Sequence, residues 1–153
     1  MLDCSDISEV VKKFQNEVKD NDVLTHRYIS FDYCYNYFYQ NINNLTKDIE
    51  KSCLVLGFYL ASWGMYRGSS FILNKNVKYL EETINYINKL KPEVWNIDMD
   101  NYPSNIDTII GIYEKVKGVI IKNKEQHLTL VTKILLGVFG FIPAFDQYFC
   151  NSF

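Results

Sequence analysis

The run from Cys53 to Met65, Cys-Leu-Val-Leu-Gly-Phe-Tyr-Leu-Ala-Ser-Trp-Gly-Met, constrains this chain more than any other stretch. It has no polar face, and a helix that is apolar all round belongs inside a protein. A polar first turn precedes it (Lys47, Asp48, Glu50), with Thr46 placed to cap. Gly68 is the expected stop. Gly57 and Gly64, with Ala61 and Ser62, would let neighbouring helices come close. A helix over 47–67 reaches roughly 30 Å, the width of a small domain. It is too short an apolar run to cross a bilayer. The expectation is a central helix with the remaining chain packed round it.

The other segments read as helices too. Ile7, Val10, Val11, Phe14 and Val18 recur at helical spacing behind Ser5, ending near Asp20 before Asn21 and Asp22. Ser30 opens a Tyr-rich stretch to Ile42, for which a helix is preferred to a strand because no partner strand is apparent. Asn76 caps a helix to about Leu90 with Val77, Leu80, Ile84 and Ile87 as its stripe. Pro103 and Ser104 start another, to about Ile121, with Ile106, Ile109, Ile110, Tyr113, Val116, Val119 and Ile120 as its buried face. A last long helix runs from about Glu125 to Phe139 and stops at Gly140. Pro143 separates it from a short helix at Asp146. No repeat, low-complexity linker or βαβ alternation is present. The expected fold is all-α, a single domain over 1–153, built as one compact bundle of six to seven helices around the central apolar one.

Composition limits the function classes. With 153 residues, 48% of them hydrophobic, the chain can bury a full core. A net charge of −2 argues against a broad basic surface for duplex nucleic acid. Only Arg27 and Arg67 carry guanidinium groups. Cys4, Cys34, Cys53 and Cys150 are widely spaced, with no Cys-x-x-Cys and no His beside a Cys pair, so neither a zinc site nor any other metal is expected. Residues 1–20 are polar and acidic, unlike a secretory signal, so a cytoplasmic protein with four free thiols and no membrane partner is expected. Asp98-Met99-Asp100-Asn101 resembles the start of a calcium loop but lacks the Gly and Glu such a loop needs. His26 and His127 are too isolated to anchor a catalytic triad, no phosphate-binding loop appears, and no cofactor is expected.

Two places could carry chemistry. Arg67 ends the apolar helix and shares a face with Trp63, four residues before it, and Tyr66 lies beside it. An indole and a guanidinium together suit a planar anion. The plain alternative is that Arg67 caps helix carbonyls or pairs with a carboxylate. Lys133 interrupts the last apolar helix, and Asp146 follows its Pro-bearing loop. Lys133 could snorkel or pair with Asp146, and Asp146 could be an N-cap.

Thr132, Ile134, Leu135, Phe139, Gly140, Pro143 and Asp146 follow one another in an order that resembles part of the helix–hairpin–helix DNA glycosylases, the endonuclease III-like enzymes. The resemblance covers residues 129–149. It implies a helical fold and a role for Asp146 in loss of a base. The chain departs from that family before Leu128. It reads Lys-Asn-Lys-Glu-Gln at 122–126, where the family has a glycine hairpin loop.

Three functions follow as expectations. The first is a non-catalytic binding protein whose small pocket between the central and C-terminal helices, lined by Trp63, Tyr66, Arg67, Lys133 and Asp146, takes a nucleotide, a base or a nucleic-acid end. The second is a protein-interaction module, an inhibitor or accessory factor, using the Tyr-rich helix. The third is a minimal glycosylase-like enzyme using Asp146.

Overall fold

The computed structural model describes residues 4–20, 28–68, 70–123 and 127–152. Among these residues there are seven α-helices, four short 3-10 turns and no strand. The helices are α1 (Cys4–Asp20), α2 (Ile29–Gln40), α3 (Ile49–Ser62), α4 (Glu81–Ile87), α5 (Tyr102–Ile120), α6 (Leu128–Phe139) and α7 (Gln147–Ser152). The all-α bundle read from the sequence is therefore the fold. No helix among the described residues is long and apolar enough to cross a membrane.

Helix α3 lies where the apolar run places it. It packs against α2, α4, α6 and the 3-10 turn Val77–Leu80. Three expectations about it are corrected. The cap is Asp48 rather than Thr46, its side chain accepting from the Lys51 amide at 3.1 Å. The helix also ends at Ser62, six residues before Gly68. Gly64 stands at φ +79°, a left-handed conformation that glycine adopts without a steric cost, so this glycine turns the chain instead of thinning a helix contact. Nor is α3 buried all round. Leu56 and Leu60 are fully buried, whereas Leu54 is 53% and Phe58 68% exposed.

Helix α6 is enclosed more completely. Residues 130–135 and 137–139 are buried, and the helix packs on α2, α3 and α5. Its approach to α3 depends on Gly137, where any Cβ would run into the ring of Tyr59. Gly140, at φ +75°, ends α6 at the expected position.

The remaining segments differ from their patterns in register. Helix α2 has Cys34 and Phe38 in the core, with Tyr33 and Tyr39 outside. It starts at Ile29, and no side chain caps it. The Asn76 side chain accepts from the Lys78 amide, opening the 3-10 turn that continues into α4. Leu80, Ile84 and Ile87 are buried as expected. On α5 the buried residues are Ile112, Val116 and Ile120, while Ile106 and Ile110 are exposed. Apolar residues occur on more than one side of α5, and the packing partners α4 and α6 select the face. Asp98 and Asn101 cap each other's backbone in a tight turn before α5, which is the use of the apparent calcium loop. On α1 the expected core residues Val10, Val11 and Phe14 are exposed. The side chains of Ser5, Ile7 and Val18, the expected helix break at Asn21 and Asp22, Arg27, and the expected helix start near Glu125 lie outside the described residues or side chains.

Candidate functional site

The early end of α3 creates an open cleft of about 1200 Å³ between the 63–71 segment, α6 and the loop that leads into α7. It is somewhat larger than the roughly 300–1,000 Å³ of typical small-molecule sites. Trp63, Met65, Arg67 and Phe71 line one wall, and His127, Leu130 and Lys133 the second. Phe145, Asp146 and Cys150 line the third.

Lys133, the sixth residue of α6, is buried, 8% exposed, in a mostly apolar stretch. Its Nζ donates to the carbonyl oxygen of Trp63 at 2.7 Å. That oxygen belongs to the C-cap residue of α3, where the helix dipole favours a cation. Burial holds the Lys133 ammonium below its ordinary pKa; Asp146 opposes that shift and the Arg67 charge adds to it. The three charged groups therefore feel one another across the cleft, yet among the described residues no carboxylate comes within ion-pair distance of either cation. The ion pairs between described residues join Lys117 to Glu114 and Lys122 to Glu82, both on the surface.

Arg67 is exposed, and among the described residues its guanidinium has no hydrogen bond or ion pair. It lies against Gly64, where an added Cβ would sit 2.7 Å from Arg67 Nε. The expected capping of helix carbonyls is thus done by Lys133 instead of Arg67.

Asp146 is placed by two threonines. Thr129 Oγ1 donates to the Phe145 carbonyl at 3.0 Å, and Thr132 Oγ1 accepts from the Phe145 amide at 2.9 Å while donating to Leu128 O. These bonds fasten the Pro143-bearing loop to α6. Asp146 then caps α7, with Oδ1 accepting from the Phe149 amide at 3.0 Å. One carboxylate oxygen is used in the cap, and the other is not. The N-cap reading of Asp146 is correct, and the residue also lines the cleft.

Tyr66 is not among the residues that line it. Its hydroxyl lies 3.9 Å from where a Cβ on Gly57 would be, towards Val77 and Leu80, and burial first and Cys53 second raise its pKa. The chain turns at Gly64, so neighbours in sequence point to opposite sides. His127 is a residue the sequence reading set aside. Its Nδ1 is 2.9 Å from the Tyr113 hydroxyl, which fixes the ring at the cleft wall. With Tyr113 donating, the neutral ring carries its proton on Nε2. No pattern in the sequence links Tyr113 to His127 across the α5–α6 connection. Phe71 and Phe145 were likewise unmarked, each reading as one more apolar residue.

The cleft thus contains two cations, one carboxylate, a fixed imidazole and the aromatic side chains of Trp63, Phe71 and Phe145. Among the described residues no group of three His, Cys, Asp or Glu is placed to hold a metal. No protein-family model matches the chain, and no curated protein or solved structure shows significant similarity to it.

Proposed function

We propose that this protein is a non-catalytic binding protein and that the cleft takes a nucleotide, a base-bearing phosphate or the phosphorylated end of a nucleic acid. The observation that carries this reading is the arrival of Arg67, Lys133 and Asp146, from three separate segments, on one cleft walled by Trp63, Phe71 and Phe145. Two cations against one carboxylate leave the site complementary to an anion. The aromatic walls suit a base, since base–aromatic stacking contributes about 1–3 kcal/mol per base. The free oxygen of Asp146 suits the hydroxyls of a sugar. Arg67, with its fork of donors unoccupied among the described residues, suits a phosphate. Of the site residues read from the sequence, Trp63, Arg67, Lys133 and Asp146 belong to this reading and Tyr66 does not.

The test uses Cys150, an exposed free thiol on the cleft wall. In a Cys4→Ser background, maleimide labelling of Cys150 should slow in the presence of mononucleotides or short 5′-phosphorylated single strands. The same ligands should raise the melting temperature, by about 5–10 °C at about a hundred times Kd. Arg67→Met should remove both effects at unchanged melting temperature, because Arg67 has no hydrogen bond or ion pair among the described residues. Neither protection nor a shift with any nucleotide or oligonucleotide would sink the reading.

Two further functions keep a specific observation each. Tyr33 and Tyr39 on α2, and Leu54 and Phe58 on α3, are exposed as a protein-interaction module would need. Asp146 stands at the cleft as a glycosylase-like acid would, although its Oδ1 is committed to capping α7. Release of free base from a modified-base oligonucleotide, lost in Asp146→Asn, is the outcome that would favour the enzyme.

A further inference from the structure

The polar groups of the cleft come from separate segments and differ in kind. Its two cations meet the chain at neighbouring residues. Lys133 Nζ is bonded to the carbonyl oxygen of Trp63 at 2.7 Å, and Arg67 Nε lies 2.7 Å from where a Cβ on the next residue, Gly64, would be. His127 belongs to another wall and is a neutral donor. The Tyr113 hydroxyl, at 2.9 Å, occupies its Nδ1, which leaves Nε2–H. Phe71 and Phe145 also line the cleft from different segments. Phe145 is stacked on Phe149, with centroids 5.1 Å apart and planes within 8° of parallel. That contact covers one face of the Phe145 ring, so a base can meet only the other.

We propose that the cleft takes the end of a single nucleic-acid strand as two consecutive nucleotides. The terminal phosphate sits at Lys133 and Arg67, the linking phosphodiester at His127, and the bases on Phe71 and Phe145. This rests on the reading of the cleft as a nucleotide site and narrows its occupant. A mononucleotide has one phosphate and one base. It would use the two cations and one aromatic side chain, and leave the His127 donor and the second aromatic idle. The charges match a strand end as well. A phosphate monoester carries close to two negative charges at pH 7, which two cations offset. A phosphodiester carries one and accepts from a neutral N–H. The volume of about 1200 Å³ exceeds the roughly 300–1,000 Å³ of typical small-molecule sites, as a dinucleotide requires. Two features limit the strand to its end. Asp146 lines the same cleft beside Phe145 and would repel a third phosphate. The net charge of −2 supplies no general attraction for a longer backbone.

The experiment is calorimetric titration of the intact protein, at one low salt concentration, with a ladder of thymidine ligands. The ladder comprises thymidine monophosphate, the phosphorylated dinucleotide, the phosphorylated hexanucleotide and the dinucleotide without its terminal phosphate. Phosphorylated members are used in 5′ and 3′ forms, because either end presents the same monoester, and tight binding of either form supports the proposal. The phosphorylated dinucleotide should bind about tenfold or more tighter than the monophosphate, through the second base. The hexanucleotide should add less than about threefold, and loss of the terminal phosphate should weaken the dinucleotide about tenfold. Phe145→Leu should lower the dinucleotide to the affinity of the monophosphate and leave the monophosphate unchanged. His127→Leu carries the same expectation should that variant fail to fold. Equal affinity for monophosphate and dinucleotide would overturn the proposal while the nucleotide reading stands. Affinity that climbs steadily to six nucleotides would also overturn it, by placing the strand along the surface. Absence of binding by every member would sink both.

Discussion

Lys133 carries the most direct consequence at the scale of single residues. Burial holds its pKa in the folded protein below the unfolded value of 10.5. Between the two values the unfolded chain binds the extra proton, so stability rises with pH across that window and is lost as pH falls through the folded pKa. Buried tyrosines work the other way. Tyr59, Tyr66 and Tyr86 are raised by burial, so ionisation of the unfolded chain lowers stability above about pH 10. The Lys133 effect is therefore isolated as a difference. Urea unfolding of wild type and Lys133→Met from pH 7 to 10 should show the wild type gaining on the variant as pH rises. Parallel curves would mean the ammonium is not desolvated. Tyr59 is the second such residue: its hydroxyl is buried with no hydrogen-bond partner among the described residues. Tyr59→Phe removes the unsatisfied group and keeps the ring on Gly137, so it should stabilise by about 1 kcal/mol in the same assay. Loss of stability would reveal a partner for that hydroxyl.

At the scale of elements, α3 has two sides of different worth. Leu60 is fully buried, and its truncation to Ala should cost about 2–5 kcal/mol through lost transfer energy and the cavity left behind. Phe58, two residues away and 68% exposed, should tolerate Ala within about 1 kcal/mol. Chemical denaturation of the two variants measures the asymmetry, and equal costs would contradict the packing. The loop before α7 is the other informative element. Thr132→Val leaves the Phe145 amide without its acceptor and should cost about 1–3 kcal/mol. Hydrogen exchange at Phe145 should accelerate in that variant well beyond the rest of α6, since the bond is what holds Asp146 against the cleft.

At the scale of the whole molecule, the thiols report how the bundle opens. Cys34 and Cys53 are buried, and burial raises both, Cys53 to about 11. Cys150 is exposed. In the Cys4→Ser background, one thiol should react with a disulfide reagent in the native protein, and two more only as the core unfolds, at one common rate. Native reaction of two or more would show that α2 or α3 opens independently of the bundle.

Much of this architecture was legible in the chain because it follows from local chemistry. The apolar run at 53–65, the glycine at 140, the Asn76 cap and the Asp146 cap each state a requirement that a few neighbouring residues satisfy. The charged residues in apolar company, Arg67, Lys133 and Asp146, announced themselves for the same reason: a charge in such surroundings needs a compensating partner, whatever the fold. Tertiary structure decided what local pattern leaves open. Helix α5 has apolar residues on more than one side, so only its packing on α4 and α6 could choose Ile112 over Ile106. Tyr66 and Arg67 are adjacent in sequence, yet the turn at Gly64 sends one to the core and the other to the cleft. The Tyr113–His127 hydrogen bond and the threonine ties to Phe145 join residues distant in sequence. Such contacts depend on which helix faces meet, and that is set by the packing of the whole core, to which every helix contributes at once.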